Sequence, residues 1–228
     1  MTTAVIVGGS SGLGHFIAER LASRGDDIIL TSRDPQRATQ AAAEIGGSAR
    51  GLAVDLARPH DIAGQLLSIE AVDKLVITAF SSATNTVRDF DITAAVEAIT
   101  VKLVGYTETV RCLHDRFTPD AAVVLFGGLA KDRPYSGSTI ISAHNGGVSA
   151  LVKTLAIEIA PHRVNAVHPG VVGDSPRWRQ VTDHPATART PTGRLVSMAE
   201  VADATEFLLT NRGVNAQDLA VDGGVLIT

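Results

Sequence analysis

Residues 4–25 read AVIVGGSSGLGHFIAERLASRG. An apolar run ends at Val7, a glycine-rich turn follows, and a helical pattern opens near Gly12. Gly8, Gly12 and Gly14 stand in a G-x-x-x-G-x-G spacing. Glycine lets such a turn take positive φ and lets the backbone approach a pyrophosphate closely. The first turn of the helix then presents unbonded N–H groups and a partial positive charge to the phosphates. Ser10 and Ser11 add hydroxyl donors, and Leu13 lies within the same cradle. An ordinary tight turn would use glycine too. What favours a dinucleotide site is the position of this one, directly after the first strand of an alternating chain.

Outward from that stretch, short apolar runs alternate with longer segments of helical period. The runs are 4–7, 27–31, 50–54, 74–79, 121–126, 163–167 and 219–221. They are rich in Val, Ile and Leu without clean alternation, as in strands buried on both faces. Ile92, Val96, Ile99, Leu103, Tyr106, Val110 and Leu113 predict one apolar helical stripe. Val148, Leu151, Val152, Leu155 and Ile159 predict another, ended by Pro161. Asp34 followed by Pro35 reads as an N-cap with proline at the first helical position. The expected fold is α/β: a Rossmann-type, doubly wound parallel sheet of about seven strands between two helical layers, in a single domain over residues 1–228. Segment 173–198, with Pro176, Pro185, Pro191 and Gly193, lacks periodicity and reads as a substrate loop or lid.

The second run ends in Thr31-Ser32-Arg33-Asp34. NAD-binding chains place an acidic residue here for the ribose 2′-OH. Ser32 and Arg33 instead suit a 2′-phosphate, which a guanidinium meets with paired, charge-assisted hydrogen bonds. Asp34 competes as an NAD-type carboxylate, and Pro35 argues for the capping role. NADP(H) is the expected cofactor.

The chain has 228 residues, 45% hydrophobic and 19% charged, and a formal net charge of −4. No basic run points to nucleic acid or an anionic membrane. One cysteine, Cys112, excludes an internal disulfide and an all-cysteine metal site. Beside the helical stripe, it reads as packing rather than as a nucleophile. No His/Asp/Glu spacing suggests a metal. The first apolar run is too short for a membrane span or a signal peptide, so a cytoplasmic, soluble protein is expected.

These features resemble the short-chain dehydrogenase/reductase family along the whole chain. Asp55-Leu56, after the third run, is similar to the pair that holds the adenine ring in that family. RVNAVHPGVV, residues 163–172, resembles the strand and Pro-Gly turn that border the nicotinamide, and implies cofactor contacts at Pro169, Gly170 and Val172. AEVADATEFLL (199–209) and AVDGG (220–224) resemble the family's last helix and strand. The resemblance also implies a homo-oligomer, a dimer or tetramer, and a small-molecule substrate.

The family reduces carbonyls with a Tyr donor, a Lys four residues later, an orienting Ser and an Asn on the preceding helix. Flanking residues align Ile141 with the Tyr, Asn145 with the Lys, Gly127-Gly128 with Ser-Ser, and Lys102 with the Asn. Ile77-Thr78-Ala79-Phe80 replaces Asn-Asn-Ala-Gly, and Asp174 replaces a Thr beyond the Pro-Gly turn. Thr78, Ala79, Phe80 and Lys102 are therefore also expected beside the cofactor. Lys102 and Asn145 read either as a reciprocal exchange that returns an ammonium to the site, or as drift that leaves Lys102 reaching solvent. His144 is a candidate acid near neutral pH or a structural histidine. Tyr135 is a candidate substitute donor, and Asp174 a substrate contact or a loop cap. The expected function is an atypical NADP(H)-dependent oxidoreductase in which Lys102, Asn145 and His144 carry the chemistry. A non-redox NADP(H)-binding regulator, a catalytically silent partner, and a lyase or isomerase stand as alternatives.

Overall fold

A computed structural model describes residues 2–81 and 85–228. Among them, seven strands form one parallel sheet: β1 Thr3–Val7, β2 Asp27–Ser32, β3 Arg50–Ala53, β4 Val72–Ile77, β5 Phe117–Phe126, β6 Arg163–Pro169 and β7 Asp218–Val221. Their spatial order is β3-β2-β1-β4-β5-β6-β7. All seven expected runs are strands of this Rossmann-type sheet. Only their ends differ: β4 begins two residues early, and β5 starts at Phe117 where its register against β4 is irregular.

The helices are α1 Gly12–Ser23, α2 Pro35–Ile45, the single turn α3 Ile62–Gln65, α4 Ile92–Ile99, α5 Tyr106–Leu113, α6 Thr139–Glu158 and α7 Met198–Thr210. Two apolar clusters, one on each face of the sheet, form the core. One gathers Val5, Leu75, Val123, Tyr106 and Val152; the other gathers Ile6, Val76, Val124, Ile17 and Leu208. Alternate residues of β1, β4 and β5 thus point to opposite layers, and both faces are covered, which is why these strands lack alternation. The Asp34 cap is present: its carboxylate accepts from the N–H groups of Gln36, at 2.9 Å, and Arg37.

The stripe expected along α4 and α5 is corrected. Ile92 and Val96 are 68% and 61% exposed, while Ala95, Ala98, Val101 and Lys102 are buried. A π-helical segment, Thr100–Gly105, separates α4 from α5. Its wider turn shifts the helical phase, so the buried face returns to the predicted stripe only at Tyr106, Val110 and Leu113. The same shift turns Lys102 inward.

Segment 173–198 is irregular apart from one 3₁₀ turn, Thr187–Arg189. Its ends are joined by a bridge between Val172 and Val196. Among the described residues, no helix is long and apolar enough to cross a membrane.

Candidate functional site

The strand order reverses between β1 and β4, and a cleft of about 600 Å³ opens there at the carboxyl ends of the strands. One side is the glycine turn. Gly8 has φ +86° and Gly12 φ +55°, values that L side chains rarely adopt. A Cβ at Gly14 would collide with the Gly8 carbonyl. Thr78 Oγ1 donates to Gly8 O at 3.2 Å, and Thr31 Oγ1 accepts from Gly8 N–H at 3.3 Å, so β4 and β2 brace the turn. Ser11 is the N-cap of α1, yet its side chain makes no capping bond. Backbone donors and a free hydroxyl therefore face the cleft, a chemistry that fits a pyrophosphate.

Gly8, Ser10, Ser11, Gly12, Leu13 and Gly14 all line this cleft. So do Ser32 and Arg33 from the end of β2, Asp55 and Leu56 after β3, and Thr78, Ala79 and Phe80 after β4. Pro169, Gly170, Lys102, His144 and Asn145 complete the set. Val172 does not join them. Its side chain packs into the core with Val196, because the bridge that closes the 173–198 loop turns it inward. Arg37, Glu97 and Arg177 line the cleft without having been expected there. Arg37 was legible in principle, one turn along α2 from Arg33. Arg177 was not, because an irregular loop carries no period.

The opposite side of the cleft is built around Lys102. Its side chain is 4% exposed, so the reading of Lys102 as a solvent-reaching lysine is overturned. Nζ donates to Tyr106 Oη at 3.0 Å, and Tyr106 Oη donates to Ala79 O at 2.8 Å. Burial lowers the Lys102 ammonium to about 7 and pushes the Tyr106 phenol up, so Tyr106 stays protonated. Tyr106 counted only as a packing residue in the sequence; its hydroxyl becomes visible only once β4 and β5 bring carbonyls to it. Burial and the neighbouring Lys102 lower His144 to about 4, so its imidazole is neutral at pH 7. That removes His144 as an acid near neutrality. Its Nδ1 is buried without a hydrogen-bond partner.

The two glycines at the end of β5 are filled from behind. A Cβ at Gly127 would collide with the His168 ring, and one at Gly128 would stand 2.8 Å from Asn145 Nδ2. His168 Nδ1 accepts from Gly128 N–H at 3.0 Å, which fixes the proton on Nε2 and makes it the donor to Asp218 at 2.8 Å. Burial holds this imidazole below its usual range despite Asp218. Two glycines, His168 and Asn145 are thus one packing unit. Sequence reasoning missed His168, which only the pairing of β6 with β5 and β7 brings into play.

Other candidates resolve plainly. Asp174 accepts from Met198 N–H at 2.7 Å and caps α7, where Ser197 and Glu200 also form a capping box. Ile141 lines the cleft, and Tyr135 stands exposed at its wall. Cys112 is half-buried, and burial with the Glu108 carboxylate pushes its thiol up to about 11. It is no thiolate at neutral pH.

A family model described as enoyl-(acyl carrier protein) reductase matches residues 7–226. The chain belongs to the short-chain dehydrogenase/reductase family. The 3-oxoacyl-[acyl-carrier-protein] reductase of Bos taurus is 28% identical over 98% of this chain and 97% of its own. An uncharacterized oxidoreductase of Bacillus subtilis (strain 168), YmfI, is 32% identical over 97% and 98%. A solved 3-ketoacyl-(acyl-carrier-protein) reductase from Brucella melitensis, complexed with NADH, superposes with a TM-score of 0.87. It is 26% identical and covers 99% of this chain and 98% of that one.

Proposed function

We propose that this protein is an NADP(H)-dependent oxidoreductase of atypical type, acting on a carbonyl or alcohol with Lys102 as its acid and base. The observation that carries the reading is the buried Lys102 ammonium, hydrogen-bonded to Tyr106 in the same cleft as the glycine turn. Residues 8–14 suit the pyrophosphate, Asp55 and Leu56 the adenine, and Pro169 and Gly170 the nicotinamide end. The NADH complex of the Brucella melitensis reductase supports a nicotinamide dinucleotide. Arg33 and Arg37, exposed and without a carboxylate partner among the described residues, favour the 2′-phosphate of NADP(H). The dinucleotide supplies or accepts a hydride when bound.

The usual Ser, Tyr and Lys have no counterpart at Gly128, Ile141 and Asn145. Ile141 has no proton to give, and the raised phenol of Tyr106 already donates to Ala79 O. Lys102 uses one N–H on Tyr106 Oη and keeps the others for the cleft that it lines. Near neutral pH it is close to half protonated, so it can give a proton to a forming alkoxide or take one from an alcohol. Neutral His144 and Asn145 flank it and supply hydrogen bonds without competing charge.

The test is turnover of NADPH against a panel of carbonyl compounds, with Lys102→Met alongside. Turnover that disappears in the variant, with NADPH binding retained, is expected. Tight NADPH binding with no turnover of any compound would instead favour a silent or regulatory binding protein.

A further inference from the structure

We propose that Arg177, carried on the irregular 173–198 segment beside the glycine turn, holds the diphosphate of the dinucleotide. This rests on the NADP(H) reading above. The glycine turn has a gap in its chemistry: residues 8–14 contain no lysine or arginine. His15, the next residue with a basic side chain, is engaged elsewhere; its ring lies 3.3 Å from Gly9 O and within 4 Å of Glu19 and Glu44. The helix terminus and the two serines supply dipoles, but no full charge, to a dianionic diphosphate.

Arg177 supplies that charge from the loop. Its neighbour Pro176 sits against the turn: Pro176 Cδ lies 3.9 Å from where a Cβ on Gly12 would stand. Arg177 itself lines the cleft shared by Ser10, Ser11 and Gly12. Its guanidinium lies over the Trp178 ring at 4.8 Å, and that ring meets His184 edge-on at 4.6 Å. Among the described residues Arg177 has no carboxylate within ion-pair distance, unlike Arg20, Arg111, Arg194 and Arg212. The loop is anchored at both ends rather than loose. Gly173 N–H donates to Val196 O at 2.8 Å, Ser175 Oγ to Val172 O at 2.7 Å, and Asp174 caps α7. A cation pre-stacked on tryptophan, unpaired and directed along a fixed loop, is organised for an anion. The seat of its neighbour Pro176 beside Gly12 favours the diphosphate over a substrate carboxylate.

Calorimetric titration of the full chain with NADPH and with adenosine 2′-monophosphate separates the two sources. The second probe keeps adenine and the 2′-phosphate but has no diphosphate. Arg177→Ala should weaken NADPH by about tenfold or more, the worth of a charge-assisted contact. It should leave adenosine 2′-monophosphate within about twofold, since the sites are separate. Arg33→Ala should weaken both probes, and Arg177→Lys should recover part of the NADPH affinity. Trypsin cleavage after Arg177 and Arg179 should slow with NADPH and not with adenosine 2′-monophosphate. Unchanged NADPH affinity in Arg177→Ala, beside a wild type that binds, overturns the diphosphate role and leaves the cofactor reading standing. A wild type that binds no NADPH overturns both.

Discussion

At the ends of β1 and β2 the cleft wall is largely backbone: the glycine turn, the first turn of α1 and the capped start of α2. At the ends of β5 and β6 the wall is side chain: Lys102, Tyr106, Asn145 and His168 interlock around Gly127 and Gly128. The first region can be read locally, because a backbone cradle needs glycines at fixed spacing and little else. The second cannot, because each residue there makes sense only beside another. Gly127 makes room for the His168 ring, and Gly128 for the Asn145 amide. In packing of this kind, one change alone would leave a clash or a void.

The comparison can be broken most directly at Lys102. Lys102→Met should lower kcat by about 100-fold or more, the usual loss on removing a general acid. NADPH affinity should hold, so binding and turnover part company. Turnover at wild-type rate would return the side-chain wall to a passive role.

The second way is pH. With Lys102 at about 7, carbonyl reduction should fall as pH rises above 7, and alcohol oxidation should fall as pH drops below it. Stability follows the same group. Its folded value is lowered from 10.5, so between about 7 and 10.5 the unfolded chain binds more protons and stability rises with pH. Below 7 the buried ammonium is destabilising in full. Chemical denaturation across this range should show a slope of up to about 1.4 kcal/mol per pH unit, absent in Lys102→Met.

Gly127→Ala sharpens the packing argument. The new methyl meets the His168 ring, and a loss of about 1–3 kcal/mol is expected from overpacking. Denaturant unfolding measures it, and a neutral outcome would mean that His168 has room to move. The smallest effect lies on the backbone side. Arg33→Ala should weaken NADPH about tenfold and NADH hardly at all, a loss of about 1.4 kcal/mol. Equal losses for both would point to Arg33 as a general electrostatic contact.

The sequence by itself determined the sheet, its cradle and the helix cap at Asp34, because strands buried on both faces, glycine spacing and N-caps are local patterns with local causes. It singled out Lys102 and Asn145, which the structure places together in the cleft. It did not reveal that Lys102 is buried, since the helical period through residues 92–113 runs straight across a π-helical segment that shifts its phase. Nor did it reveal the Tyr106 hydroxyl between two strands, the His168–Gly128 bond, or Arg177 beside the glycine turn. Those were decided by tertiary structure alone, because burial and proximity between residues twenty or more positions apart set their chemistry. No spacing in a chain records a distance across a cleft.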